Sequence, residues 1–505
     1  MRAAHPRAAT ATAPHYERRR PEQTPLYRLV RQHSEAFAAE VDSTSGGAGL
    51  PQYVKDEFDA YLECGILAHG FMRLRCESCA RDTLVAFSCK RRGICPSCGT
   101  RRMAETAAGL VDNILPRVLV RQWVLSFPIP LRSLFAVHPA LLTPVLKIIH
   151  RAINTHLIKQ TKVKRSDVTT GAITLIQRFG SAANLNIHLH GLVLDGVYSA
   201  TGSTSDGAPV FTEASAPTVE QLQALLDKMI KRILKSLTRL GHLIEEEGIT
   251  YLARTGDIDV DNVLAPLQAA SSTWRIAMGS RAGRKVLTLV EPVLSLSKEC
   301  AERSEPHRSR IASPLCANAH GFSLHAGVHC NADDRQGIEQ LCRYITRPAI
   351  SNERLSINRE GNVVLKLKTP WRNGATHIVL TPMEFMQRLA ALVPRPRLHL
   401  IRFHGVLAPN AKLRSKVVPK PAQRTIAGEG DCAHAHSALV RMTWARLLKR
   451  VFDIDIERCA CGGKLKLIAV IEEPAVIERI LTHLGLCAQP PPRTPARRVD
   501  LFQAA

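Results

Sequence analysis

The stretch Asn186-Ile187-His188-Leu189-His190-Gly191-Leu192-Val193-Leu194 decides how this chain is read. Successive side chains of a strand point to opposite faces, so His188 and His190 share one face across the apolar Leu189. Two imidazoles side by side on a Leu- and Val-rich strand form half of a divalent-metal site. Gly180 precedes the run, and Gly191 and Gly196 lie within and after it, which marks a strand entered and left by turns. Such a pair also occurs on solvated faces, and a tyrosine far along the chain, Tyr344, separates the two readings.

Around this strand the pattern alternates between short apolar strands and helices. Gln122 to Phe127 and Gly171 to Gln177 read as strands, and Pro139 to His156 as a helix. The Gly/Ser/Thr/Pro-rich run 199–217 reads as a surface loop. Thr218 to Leu240 follows as an amphipathic helix, with Leu222, Leu225, Leu226, Met229 and Ile233 on one side and Lys228, Lys231, Arg232 and Lys235 on the other. Gly337 to Thr346 is a short helix ended by Pro348. Ser356 to Lys368 is a hairpin around Glu360-Gly361. The charged, Ser-rich run 294–313 has no periodicity and reads as an insertion loop.

The chain has 505 residues, which suggests roughly three domains. Its 68 Lys and Arg against 44 Asp and Glu give a net charge of +24, an excess that calls for a polyanionic partner such as nucleic acid. No run of about 18 uncharged apolar residues and no signal-peptide core is present, so a membrane is not expected. The first twenty residues are Ala/Arg-rich and almost free of acids, the composition of a basic arm. Fourteen cysteines without a secretory signal point to metal ligands and buried thiols rather than disulfides. The expected compartment is the cytosol, in contact with DNA.

Cys76-x2-Cys79 and Cys95-x2-Cys98 are separated by fifteen residues. Each turn can place two thiolates on one ion, and the two together match a four-cysteine zinc ribbon. Four ligands leave no open position, so Cys76, Cys79, Cys95 and Cys98 are expected to hold a structural zinc, within a basic setting of Arg73, Arg75, Lys90, Arg91, Arg92, Arg101 and Arg102. Cys64, His69 and Cys89 lie nearby and offer the ligands of a second site, although ordinary buried residues are the favoured reading. Cys459-Ala-Cys461 is tighter than a Cys-x2-Cys knuckle, and no second zinc is expected there.

In the helix from Gly337 to Thr346, Ile338, Leu341, Cys342 and Ile345 make the buried stripe. Tyr344 falls off it, on the side of Gln340, Arg343 and Arg347. Arginines there can hold a phosphodiester and offset the charge that builds up during attack by the tyrosine hydroxyl. A metal held by His188, His190 and a third polar ligand, Gln177 first and Gln340 second, would polarise the same phosphate. Trp123, Phe127 and Trp371 are candidates to stack unpaired bases, with buried core the alternative for each.

Gln177-Arg-Phe-Gly-Ser181 leading into Asn186-Ile-His-Leu-His190-Gly, then Arg343-Tyr-Ile-Thr-Arg-Pro348, resembles the HUH rolling-circle transposases of insertion sequences, the IS91 type. The resemblance runs from about residue 20 to 485 and includes the cysteine block, Trp371 and the tract from Leu392 to Val406. Pro348 stands where a second tyrosine is often described, so the chain is similar to the single-tyrosine subgroup associated with common-region elements. The resemblance implies an α+β fold whose HUH endonuclease-like antiparallel sheet, with flanking helices, carries the histidine pair on a central strand.

The expected organisation is a largely flexible basic arm (1–50), a small zinc-ribbon-like module (51–110), a catalytic domain (111–395) and a basic linker with a helical C-terminal region (396–505). The expected activity is metal-dependent nicking and rejoining of single-stranded DNA at element ends. Tyr344 would form a 5′-phosphotyrosine, with Arg343 and Arg347 beside it and Mg2+ or Mn2+ as the catalytic ion. No Gly-x4-Gly-Lys-[Ser/Thr] phosphate loop occurs, so unwinding would come from a host helicase and the replication machinery. The competing readings are a replication initiator or relaxase, and a non-catalytic zinc-ribbon DNA-binding regulator that would leave His188, His190 and Tyr344 idle.

Overall fold

In the computed structural model the histidine strand spans Leu185–Leu194 and is fourth in a six-stranded sheet. The structure describes residues 18–199, 208–247, 249–253, 263–290, 315–371, 373–419, 449–450 and 455–496. The sheet order is Cys316–Ala319, Phe322–Cys330, Val120–Ser126, Leu185–Leu194, Gly171–Phe179 and Ile401–Gly405, with every neighbouring pair antiparallel. His190 lies opposite Val124 on one side and Leu175 on the other, and His188 opposite Ser126 and Gln177. The fold is α+β, and the histidine pair sits on a central strand.

Alternation along these strands divides the core into two layers. Ile173, Leu175, Leu192, Leu194 and Val120 face the histidine side and pack against Ala107, Leu110 and Val111 of the helix Pro96–Asn113 and against Ile338, Cys342 and Ile345 of the helix Arg335–Thr346. Trp123, Leu125, Ile176, Ile187 and Leu189 face the other way, into a larger core with the helices Leu142–Thr161 and Val219–Arg239. The latter helix starts with a capping box between Thr218 and Gln221, and Leu222, Leu226, Met229 and Ile233 are fully buried. The sheet is thus covered by helices on both faces. A buried ion pair, Arg121 to Asp195 at 2.7 Å, ties Val120–Ser126 to the end of the histidine strand.

Several elements depart from the sequence reading. The region expected to be a largely flexible arm contains a twenty-residue helix, Pro25–Thr44, packed into the core through Leu26, Leu29, Val30, Phe37 and Val41. Apolar residues at helical spacing explain this: once buried, the segment from Pro25 is part of the globule and not a free arm. The run 199–217 contains a strand, Val210–Glu213, paired with Gly196–Ser199. The region after 396 is not only helical. Ile401–Gly405 is an edge strand of the main sheet, so that sheet continues past residue 395, and Leu465–Ile471 joins a three-stranded sheet with Phe71–Cys76 and Asp82–Ala86. The expected hairpin is formed by Leu355–Ile357 and Val363–Lys366 within a four-stranded sheet. The run 294–313 lies outside the described residues.

Candidate active site and zinc centres

His188 and His190 stand edge to face, with ring centroids 4.9 Å apart. His188 Nδ1 lies 2.9 Å from the Asn186 carbonyl oxygen; donating there leaves the Nε2 lone pair free. His190 Nδ1 lies 2.9 Å from the Gln122 side-chain amide, and its Nε2 is buried without a hydrogen-bond partner. Burial pushes both imidazoles below their ordinary range, His188 to about 4 and His190 to about 3; the charge of Arg347 acts in the same direction on both. Both rings are therefore neutral near pH 7, the form that ligates a metal. Gln177 is on the same face, opposite His188, and its amide nitrogen donates to the Ile345 carbonyl at 2.7 Å. Its amide oxygen is the atom available as a third ligand. The residues fit a divalent ion.

That bond from Gln177 attaches the sheet to the residue after Tyr344. Tyr344 itself is 51% exposed, off the buried stripe of Ile338, Cys342 and Ile345. The Arg347 guanidinium lies 4.4 Å from its ring centroid and the Lys368 ammonium 4.8 Å. Among the described residues neither cation has a carboxylate partner, and Lys368 is held below its usual range by burial and by the charges of Arg347 and Arg354. Arg347 also lies over Phe179, at the end of the strand that carries Gln177. Arg343 is placed differently: it is bound to Glu339, one turn earlier, and Glu339 is bridged by Arg450 to Asp112 of the helix Pro96–Asn113. Gln340 is exposed.

The four cysteines expected on one ion are not brought together. Cys64, Cys89, Cys95 and Cys98 form one tetrad, and Cys76, Cys79, Cys459 and Cys461 another; within each, all ligand atoms lie within 4.8 Å of one another. The reason is the hairpin between them. Gly65 donates to the Phe87 carbonyl at its open end, whereas Cys76 and Cys79 sit at its tip. Six strand residues span roughly 20 Å, too far for both ends to share an ion. Cys64 and Cys89 flank the open end, and Cys95 and Cys98 occupy the start of the helix Pro96–Asn113, where Cys95 is the N-cap. In the first tetrad Cys89 and Cys98 sulfurs are 3.4 Å apart, and Cys64 is 3.7 Å from both Cys95 and Cys98. Tetrahedral zinc with bonds of about 2.3 Å sets its sulfurs about 3.8 Å apart.

Two family models match the chain. The IS91 transposase zinc-binding domain matches residues 29–127, which contain the first tetrad entire. The second, described as "Putative transposase", matches residues 171–415, which contain the histidine strand, the Tyr344 helix and the edge strand Ile401–Gly405. The chain belongs to the IS91-type transposase family. It is also similar to 5-azacytidine-induced protein 2 of Bos taurus, 25% identical over 213 residues that make up 40% of this chain and 51% of that protein. The transposase thus spans about half the length of that curated relative, and the likeness carries no activity across. No solved structure matches the chain.

Structural zinc belongs to this transposase through its zinc-binding domain and its cysteine clusters. Two participants escaped the sequence reading. Lys368 approaches Tyr344 from the loop that follows the strand Val363–Lys366, and Gln122 reaches His190 from the neighbouring strand. The second carried a readable signal: Gln122 is a polar residue at the head of an apolar strand, and it is 4% exposed. Of the aromatic candidates, Trp123 and Phe127 are core residues, 2% and 0% exposed, and Trp371 is half-buried against Trp274. Among the described residues no single helix is long and apolar enough to cross a membrane.

Proposed function

We propose that this transposase nicks and rejoins single-stranded DNA at the ends of a mobile element, with Tyr344 as the nucleophile. The observation that carries the reading is Arg347, whose guanidinium lies over the Tyr344 ring and whose charge acts on the buried histidine pair. An exposed tyrosine, two cations without carboxylate partners among the described residues, and two buried imidazoles on the strand that Gln177 ties to the tyrosine helix support the reading. A divalent ion bound by His188, His190 and Gln177 would supply Lewis-acid polarisation of the scissile phosphate.

The chain's own groups do the rest. The Tyr344 oxygen attacks phosphorus and gives up its proton. The P–O3′ bond breaks, the leaving oxygen becomes a free 3′-hydroxyl, and the 5′-phosphate remains on the tyrosine. Arg347 and Lys368 hold the phosphate oxygens and offset the negative charge gathered there in the transition state. One phosphodiester replaces another, so a 3′-hydroxyl can reverse the step and rejoin strands. A net charge of +24 supports contact with the rest of the DNA, and strand separation falls to a host helicase. The oxygen of Tyr344 is decisive, and Arg343 acts through Glu339 on the helix that carries it.

The test is a single-stranded oligonucleotide carrying an element end, incubated with the protein and Mg2+ or Mn2+. A covalent adduct should map to Tyr344 by mass spectrometry and be absent in Tyr344→Phe, which keeps the ring and its stacking. An adduct that survives that substitution, or that maps to Tyr198 or Tyr251, overturns the assignment. A non-catalytic regulator would form none at all.

A further inference from the structure

The second cysteine tetrad joins parts of the chain about 380 residues apart, and half of it lies outside both family matches. We infer that Cys76, Cys79, Cys459 and Cys461 form a second structural zinc site, which clasps the C-terminal segment 455–496 onto the N-terminal module. The inference is independent of the nicking chemistry.

Four features converge. The sulfurs are correctly spaced: Cys76 to Cys461 is 3.5 Å and Cys79 to Cys459 is 3.7 Å, close to the edge of a tetrahedral zinc–thiolate site. The strand Leu465–Ile471 pairs with Phe71–Cys76, with Leu465 opposite Cys76, and Glu77 donates to the Lys464 carbonyl at 3.0 Å. This register carries the Cys459–Cys461 turn to the hairpin tip. The turn is itself closed, Cys459 donating to the Gly463 carbonyl and Gly462 to the Cys459 carbonyl, each at 2.8 Å. Gly463 is required there, because a Cβ on it would come within 2.7 Å of the Cys76 sulfur. A Cys-x-Cys spacing serves because its two thiols meet the two thiols of an ordinary knuckle in a turn built for close approach.

The fourth feature is how little apolar core lies beneath this segment. Among the described residues the buried cluster there comprises Leu67, Phe71, Ile477 and Leu481. Beyond the strand pairing, the other ties are polar ones near the end of the segment, Arg493 to Asp59 and Glu35 and the Thr494 amide donating to the Arg31 carbonyl. Leu467, Ile468 and Val470 of the strand are about half exposed. So small a core does not by itself hold a strand and a ten-residue helix, Pro474–His483, in place, and structural metals commonly make up that deficit in small modules. A shared ion would do so, since binding energy at a site assembled only in the folded state is folding energy.

The experiment uses full-length protein purified without chelator. Native mass spectrometry and elemental analysis should find two zinc ions per chain, and Cys459→Ser/Cys461→Ser should retain one. That variant should also become cleavable by trypsin within 455–496 while the rest stays protected. If it is insoluble, alkylation of the wild type decides: Cys79 and Cys461 are exposed, yet iodoacetamide should spare them until zinc is removed. One zinc in the wild type, two zincs retained in the variant, ready alkylation of Cys79 and Cys461 in the zinc-loaded chain, or iron in place of zinc would each overturn the second site. Loss of one zinc with the segment still protected would overturn the clasp.

Discussion

Gly99 packs directly against Pro348: a Cβ on Gly99 would lie 2.7 Å from the Cβ of the proline. Gly99 is in the first turn of the helix that starts at Cys95 and Cys98, and Pro348 ends the segment that carries Tyr344. The contact links the first cysteine tetrad to Tyr344 in two steps. Further down the same pair of helices, the Arg335 guanidinium donates to the carbonyls of Pro116 and Leu115 at 3.3 and 3.0 Å. The zinc-binding domain therefore buttresses the tyrosine helix. Pro348 supplies the flat surface that the glycine meets.

Enlarging Gly99 tests this coupling. Gly99→Val should overpack the contact at a cost of about 1–3 kcal/mol and shift the tyrosine helix. Adduct formation should slow at least tenfold while Mn2+ binding at the histidine pair stays within twofold. Adduct formation at the wild-type rate in a folded variant would mean that the zinc domain and the nucleophile are not mechanically linked.

Gln122 should act as a positioning residue for His190. The Gln122 amide nitrogen is the atom 2.9 Å from His190 Nδ1; ligation through Nε2 places the ring's single N–H on Nδ1, so on metal binding the amide must turn to present its oxygen. Gln122→Leu keeps the volume and removes the acceptor. Mn2+ affinity, followed by electron paramagnetic resonance, should fall about 10–100-fold, and excess Mn2+ should restore nicking. His190→Ala, in contrast, should not be rescued. An unchanged Mn2+ affinity in Gln122→Leu would remove Gln122 from the site.

The individual strands, the histidine face and the tyrosine's exposure were legible because each rests on local periodicity, whereas the antiparallel sheet that joins the strands followed from the family resemblance. His188 and His190 are two apart on a strand, and Tyr344 lies off the stripe set by Ile338, Cys342 and Ile345. The cysteine partnerships were not legible, because they depend on pairing at a distance. Nothing near Cys76 indicates that its neighbouring strand begins at Leu465, nor that Cys64 and Cys89 come together where the hairpin opens. The Arg343 side chain shows a second limit. A helix register places it near Tyr344, but the choice between a phosphate and Glu339 is made by a carboxylate that Arg450 also holds. Lys368 lies in the loop between Val363–Lys366 and His377–Leu380, and nothing in its local sequence shows that this loop meets the Tyr344 helix.

The two arginines beside Tyr344 should therefore differ. Arg347→Ala removes a cation that faces the Tyr344 ring and should reduce adduct formation by about 100-fold, the scale of losing one donor to a developing oxyanion. Arg343→Ala breaks a pair with Glu339 and should leave the rate within about threefold, lowering thermal stability instead. Single-turnover kinetics on one oligonucleotide separates the two effects. Equal losses of rate in both variants would place Arg343 on the phosphate after all.

The last prediction concerns the opposite face of the sheet. His150 and His404 stack there, with ring centroids 3.5 Å apart, and the Thr174 hydroxyl lies 2.6 Å from His150 Nε2. Burial pushes His150 down to about 3, helped by the neighbouring His404, and pushes His404 to about 4, helped by Arg402. The unfolded chain binds protons at these rings near their ordinary value, about 6.5, where the folded chain does not. Stability should thus be complete above pH 6.5 and decline as pH falls towards 4, because protonation favours the unfolded state. The slope is at most about 1.4 kcal/mol per pH unit for each ring, and smaller for His404, which keeps solvent contact. Urea unfolding at pH 7.5, 6.0 and 5.0 measures it. His150→Gln keeps a polar partner for Thr174 and removes one titration, so its loss of stability between pH 7.5 and 5.0 should be smaller than the wild type's. The His188 and His190 contributions cancel in that difference. Parallel pH curves for the two proteins would show that His150 does not titrate differently on folding.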